Sequence, residues 1–183
     1  MRKVPACYLL PLIVAAGSVT ACVSVDNATS SSDSTVASTP LARSDGAAAG
    51  EARLRALGSR LVLQVTAQGL PPGPHGLHLH TVGRCDPPDF ASAQGHWNPT
   101  TRQHGSANPA GPHAGDLPNL TIGSDGRGRL ETLLNPQARA AGTAGIFDAD
   151  GTALVVHAAA DDLRTDPSGA SGARIACGVL VRP

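Results

Sequence analysis

From about Leu41 onward the chain alternates apolar and polar positions. Ala52, Leu54 and Ala56 point one way and Arg53 and Arg55 the other, and Leu61, Leu63, Val65 and Ala67 repeat the pattern after a Gly58-Ser59 turn. A period of two is the mark of a strand with one buried face, so these segments read as antiparallel hairpins. Ser44-Asp45-Gly46, Ser124-Asp125-Gly126 and Asp148-Ala149-Asp150-Gly151, the last ahead of the apolar run Thr152 to His157, supply turn signals. Strands and turns recurring at about 10-residue spacing predict an all-β sandwich or barrel. Two stretches break the alternation. Arg84 to Leu120 is rich in Pro, Gly, Asn and His, and Asp161 to Arg174 in Asp, Ser and Gly. Loops of that length in a compact domain are either functional or disordered.

The N-terminal end has a different pattern. Arg2 and Lys3 precede an apolar run from Tyr8 to Ala16 and then small residues up to Ala21-Cys22. That is the layout of a secretory signal over residues 1–21, too short for a spanning helix of about 20 apolar residues. Val19-Thr20-Ala21-Cys22 resembles a bacterial lipoprotein processing box, which would leave Cys22 as a lipidated N-terminus; ordinary cleavage near Ala21 is the alternative. Residues 22–40 follow as a flexible tether, because Ser24 to Ser38 hold too little apolar content to pack. The expected organisation is therefore signal 1–21, lipidated Cys and tether 22–40, and one folded domain 41–183, located in the periplasm and anchored to a membrane through Cys22.

Composition narrows the picture further. At 183 residues the chain suits one domain plus accessory segments. Aromatics are only 2%, with Gly 21 and Pro 15, so the interior must be built from Val, Leu, Ile and Ala between many turns. The formal net charge is zero, and no Lys/Arg cluster offers the basic face that nucleic acid requires. Lys3 is the only lysine; removal of residues 1–21 leaves the mature chain at −2. Once Cys7 leaves with the signal and Cys22 takes lipid, Cys85 and Cys177 remain. In an oxidising compartment that pair should form a disulfide, worth about 4 to 5 kcal/mol in the chain-entropy model; two buried thiols are the alternative.

Histidine carries the chemistry. Six of the seven histidines recur in the motifs His78-Leu79-His80, His96-Trp97-Asn98-Pro99, His104-Gly105, His113-Ala114-Gly115-Asp116 and Val155-Val156-His157. His78 and His80 lie two apart in an apolar strand, which turns both imidazoles to the same face at about 7 Å. Two or three imidazoles with one carboxylate, as His104, His113 and Asp116 can provide, suit tetrahedral zinc. An imidazole-only set suits copper. Six histidines and Asp116 make seven ligands for two four-coordinate ions, so one imidazole would have to serve both ions through its two ring nitrogens.

Taken together, Gly76-Leu77-His78-Leu79-His80, Gly95-His96-Trp97-Asn98-Pro99, Gly111-Pro112-His113-Ala114-Gly115-Asp116-Leu117, Leu154-Val155-Val156-His157 and Gly172-Ala173-Arg174-Ile175-Ala176-Cys177-Gly178 resemble the copper-zinc superoxide dismutases, in their bacterial exported branch, from roughly Leu41 to the C-terminus. The resemblance implies a Greek-key antiparallel β-barrel/sandwich of about eight strands with two long functional loops. It implies copper on His78, His80, His96 and His157, and zinc on His96, His104, His113 and Asp116, with His96 as the bridge. It implies that Asp161 hydrogen-bonds a copper histidine and a zinc histidine, that Arg174 lines the channel to the site, and that Cys85 and Cys177 are the disulfide. Trp97 stands where the family usually shows Phe, and His75 matches a structural histidine. The implied activity is dismutation of superoxide to O₂ and H₂O₂ by a copper couple, with His96 as ligand and proton donor. Superoxide is then the substrate, and the chain a monomer or homodimer. Two other functions could use similar residues. A metal-storage or delivery module would be expected to lack a ligand, the bridge or the arginine. A zinc hydrolase needs an open water position that a four-ligand zinc set does not leave.

Overall fold

The structure, a computed structural model, describes residues 34–139 and 145–181. The expected signal and Cys22 lie outside the described residues. The described chain forms nine antiparallel strands: β1 Ser34–Arg43, β2 Ala48–Leu57, β3 Arg60–Gln68, β4 Gly73–His75, β5 Leu77–His80, β6 Leu120–Ile122, β7 Arg127–Leu133, β8 Thr152–His157 and β9 Arg174–Leu180. Their order is β4-β6-β7-β3-β2-β1-β9-β8-β5. Because β4 and β5, the strands at the two margins, are separated in sequence only by Gly76, the sheet curls into a nearly closed barrel. Gly76 N–H donates to Ala159 O at 2.8 Å, and Gly76 O accepts from His157 N–H at 2.8 Å. A Cβ on Gly76 would lie 2.7 Å from Ser171 Cβ, so the seam admits no side chain there. Counted with β4 and β5 as one strand, the barrel has the expected eight.

Two connections make the Greek key. The chain leaves β3 and passes over β7 and β6 to reach β4, and it leaves β7 and passes over β6 and β4–β5 to reach β8. The two long irregular stretches join neighbouring strands instead, β5 to β6 and β8 to β9. They are thereby free to fold back over the outside of the barrel wall.

The core is aliphatic, as the composition requires. Leu41, Leu54, Leu63, Val65, Leu77, Leu79, Leu120, Ile146, Leu154 and Val156 are buried together, each contributing roughly 2 kcal/mol on burial. Alternation along β2 and β3 holds as read, except that Ala56 is half-buried next to the exposed end of its strand and Val62 is buried between Leu61 and Leu63. Strand β8 is buried on both faces. Leu154 and Val156 enter the barrel, while Ala153 and Val155 pack outside it with Phe90, Ala93 and Cys177. That outer layer is closed by the Cys85–Cys177 disulfide, with Cα atoms 5.7 Å apart.

One boundary moves. Residues 34–40, expected within the tether, belong to β1, paired with β2 from Ser34↔Ala56 to Pro40↔Glu51. Ala37, Thr39 and Leu41 are buried along it. The segment is poor in large apolar residues, but a strand held by backbone pairing needs only small side chains on its inward face.

Candidate metal centre

Strand β5 sets the site. Leu77 and Leu79 point into the barrel, which turns His78 and His80 outward with ring centroids 6.4 Å apart. The loop after β5 returns along its free edge through isolated bridges His80↔His96 and His78↔Asp116. Trp97 N–H donates to Leu79 O at 2.8 Å, and the buried Trp97 ring anchors this return in the core. His157 ends β8 beside them.

His78, His80, His96 and His157 each offer one ligand atom within 4.8 Å of the others. Their outer nitrogens are committed. His78 Nε2 donates to Asp161 Oδ2 at 2.7 Å, His80 Nδ1 to Gln94 O at 2.8 Å and His157 Nδ1 to Gly172 O at 3.1 Å. The inner nitrogens, His78 Nδ1, His80 Nε2, His96 Nε2 and His157 Nε2, are buried without a hydrogen-bond partner. An unsatisfied buried polar atom costs about 1–3 kcal/mol, and four convergent lone pairs make an imidazole field that a copper ion satisfies.

A second cluster centres on Asp116. Its Oδ1 lies 2.9 Å from His96 Nδ1, 3.1 Å from His104 Nδ1 and 3.2 Å from His113 Nδ1. Its Oδ2 accepts the main-chain N–H of Gly105 and of His113, both at 2.9 Å. Three imidazoles and a carboxylate are a zinc donor set. His78 also falls within 4.8 Å of His96, His104 and Asp116. With its Nε2 on Asp161 and its Nδ1 turned to the all-imidazole cluster, however, it has no nitrogen left for this one. His113, whose Nδ1 is 3.4 Å from His96 Nδ1, completes the set. Among the described residues, His96 then presents one ring nitrogen to each cluster.

Asp161 ties the clusters together. It accepts from His78 Nε2 and, at 2.9 Å, from His104 Nε2. Its own main chain is clamped by Asn119, whose Oδ1 accepts Asp161 N–H at 2.8 Å and whose Nδ2 donates to Asp161 O at 2.9 Å. Gly169, at φ +62°, must be glycine, since a Cβ would fall 1.8 Å from Asp161 Oδ1. His75 stands outside both clusters. It is buried, with Nδ1 2.7 Å from His157 O and Nε2 2.8 Å from Pro71 O, and joins β4 to the end of β8.

Arg174 donates to Phe90 O and, at 2.7 Å, to Gln94 O, the same carbonyl that orients His80. It lines a cleft of about 410 Å³ with His80, His96, His113, His157 and Ser168. The arginine is thus held by main-chain carbonyls at the rim of the imidazole cluster. Asp161 and Asp162, in the loop before β9, are occupied elsewhere, the first with histidines and the second with Thr165. Every residue expected as a ligand lies in one of the two clusters. Asn119 and the carbonyls of Gln94 and Gly172 were not foreseen. A carbonyl has no side-chain signature, and Asn119 in Pro118-Asn119-Leu120 looks like any turn residue.

Charge at the centre is unevenly distributed. Burial pushes the imidazolium of His80 down to about 2, of His157 to about 3 and of His96 to about 4, and lowers His78 as well. Burial also opposes the charged form of His104, but hydrogen bonds and charge from Asp116 and Asp161 override it and raise His104 to about 9. Against their own burial, both carboxyls are held well below the usual range, first of all by hydrogen bonds from His104. These shifts fix the sign of a pH effect in the metal-free protein. Below about 6.5, the value of a free imidazole, an unfolded chain takes up protons on His80, His96 and His157 that the folded chain refuses, so stability falls with acid. The contribution of His104 is complete below about 6.5 and is lost as pH rises through 9. Denaturant midpoints of chelator-treated protein should therefore peak near pH 6.5. A midpoint that climbs between about pH 6.5 and 4.5 would contradict this arrangement.

Comparison with known proteins agrees with the geometry. A family model described as copper/zinc superoxide dismutase (SODC) matches residues 48–180. The chain is 44% identical over 134 residues to copper-zinc superoxide dismutase 1 of Aquifex aeolicus (strain VF5), covering 72% of this chain and 79% of that protein. It is 40% identical over 140 residues to the copper-zinc superoxide dismutase of Caulobacter vibrioides, covering 74% and 80%. Among solved structures, a SOD-like protein from Bacillus subtilis superposes with a TM-score of 0.75 at 39% identity, covering 81% of this chain and 100% of that one.

Proposed function

The chain belongs to the copper/zinc superoxide dismutase family, and from that premise we propose that it removes superoxide outside the cytoplasm, with His96 as the imidazole shared between copper and zinc. It is an oxidoreductase acting on superoxide, with copper and zinc as cofactors. The observation that carries the shared role is the position of one ring: His96 Nε2 is unpartnered among the four inner nitrogens, and His96 Nδ1 is 2.9 Å from Asp116 Oδ1.

His78, His80, His96 and His157 would hold copper, and His96, His104, His113 and Asp116 would hold zinc. Copper would supply a one-electron couple for the dismutation of two superoxide ions and two protons to O₂ and H₂O₂, whereas zinc would supply no redox chemistry. His96 Nε2 is the atom at which this chain can hold a proton for the product, because its Nδ1 stays against Asp116 on the zinc side. Asp161, Gln94 O and Gly172 O fix the rings of His78, His104, His80 and His157 so that only the bare nitrogens face inward. Arg174 offers a cation at the cleft, where a small anion gains in local concentration and encounter rate.

Full-length protein loaded with both metals should consume superoxide, and a copper chelator should abolish that consumption. Bound copper without consumption would favour a storage module. In the same assay Arg174→Ala should slow the reaction by about tenfold and flatten its dependence on salt, with metal content unchanged. An unchanged rate and salt slope would remove the arginine from the role.

The exported location rests on the signal layout and on the Cys85–Cys177 disulfide, a bond favoured by an oxidising compartment. Lipid on Cys22 would hold the domain at a membrane. The mass of the N-terminal peptide tests this: acylated Cys22 is expected, and an unmodified terminus would leave an exported protein without an anchor.

A further inference from the structure

The outer nitrogens of four cluster histidines meet an oxygen at hydrogen-bond distance: His78 and His104 meet Asp161, His80 meets Gln94 O and His157 meets Gly172 O. His96, facing both clusters, has no outer nitrogen. His113 is the remaining case, and its Nε2 lies 3.8 Å from Asp166 Oδ1. The same Asp166 oxygen accepts the main-chain N–H of His104. We propose that Asp166 is a positioning residue for the zinc half of the centre, orienting His113 through Nε2 and fixing the main chain of His104. The inference rests on the zinc reading of the Asp116 cluster.

The physical case is one of charge and tautomer. A histidine that binds zinc through Nδ1 must carry its proton on Nε2, and a carboxylate facing that N–H stabilises this tautomer and makes Nδ1 a better donor. At 3.8 Å the contact is electrostatic and beyond hydrogen-bond length. It acts on a ring whose side chain is only 8% exposed, where a charge is felt more strongly than in water. Asp161 and Asp166 sit five residues apart in the loop joining β8 to β9. They hold His104 from two sides, one on its ring and the other on its backbone. Two carboxylates of one loop thereby grip the zinc ligands supplied by the other loop. Asp166 is half-exposed, so changing it leaves no buried gap.

The test is zinc competition against a chromophoric chelator, using full-length protein freed of metal and titrated with zinc alone. Asp166→Asn keeps an oxygen that can accept the His104 N–H but loses the charge facing His113. It should weaken zinc by about tenfold or more, with the denaturation midpoint of the metal-free protein unchanged. Wild-type zinc affinity in Asp166→Asn would overturn the proposal, as would a loss matched by a fall in metal-free stability, which marks a purely structural role. Asp116→Asn serves as the reference. If it too retains wild-type affinity, the zinc reading of the cluster fails; if only Asp166→Asn retains it, the positioning role alone fails.

Discussion

Replacing His96 by alanine is expected to lower superoxide consumption by on the order of 10²-fold or more, the range associated with losing a proton-transfer group. The ring lies at the middle of the centre, with centroids 4.0 Å from His78, 5.0 Å from His80, 5.2 Å from His104 and 5.4 Å from His113. His78, the other described residue near both clusters, has its Nε2 on Asp161 and only its Nδ1 free. The all-imidazole set would keep three donors and the Asp116 set would keep His104, His113 and its carboxylate. Both metals can then remain while the shared contact is gone. Elemental analysis alongside the rate measurement separates these effects, and His96→Gln, which preserves bulk, guards against simple collapse of the loop. A variant that holds both metals and turns over at the wild-type rate would refute the bridging role.

Removing the disulfide should give the largest loss of stability. A bond spanning 92 residues contributes about 4 to 5 kcal/mol through the entropy of the unfolded chain. Cys85→Ser combined with Cys177→Ser should shift urea denaturation by that amount. The effect should also reach the site. The loop fixed by Cys85 carries Phe90 and Gln94, whose carbonyls hold Arg174, and Gln94 O orients His80. Weaker copper retention should accompany the lost stability. A change below about 1 kcal/mol would show that the outer layer of Phe90, Ala93, Ala153 and Val155 holds the loop unaided.

What the sequence made legible follows from where the information resides. Alternation in β2 and β3 was visible because every second residue must be apolar, and the ligands were visible because metal chemistry demands particular side chains. The division between β4 and β5 was hidden, since a single glycine marks the point where the strand changes partners. The start of β1 was hidden because Ser34 to Pro40 is held by main-chain pairing, which small and polar residues satisfy equally well. The supports of the site were hidden for a related reason: Gln94 and Gly172 act through carbonyls that every residue has. Those contacts are set by topology, which brings residues distant in sequence to the same ring.

The seam at Gly76 gives the molecule one further property. The carbonyl that closes the barrel is the one that receives the His157 amide, so the cylinder and the redox centre share a peptide group. Any fluctuation that parts the seam also displaces His157, one of the four imidazoles that would hold copper, and any ion held by that ring would draw the seam shut. Metal supply and conformational integrity are then a single linked equilibrium. A chain that has not met its metals is, by the same linkage, the form most open to proteolysis.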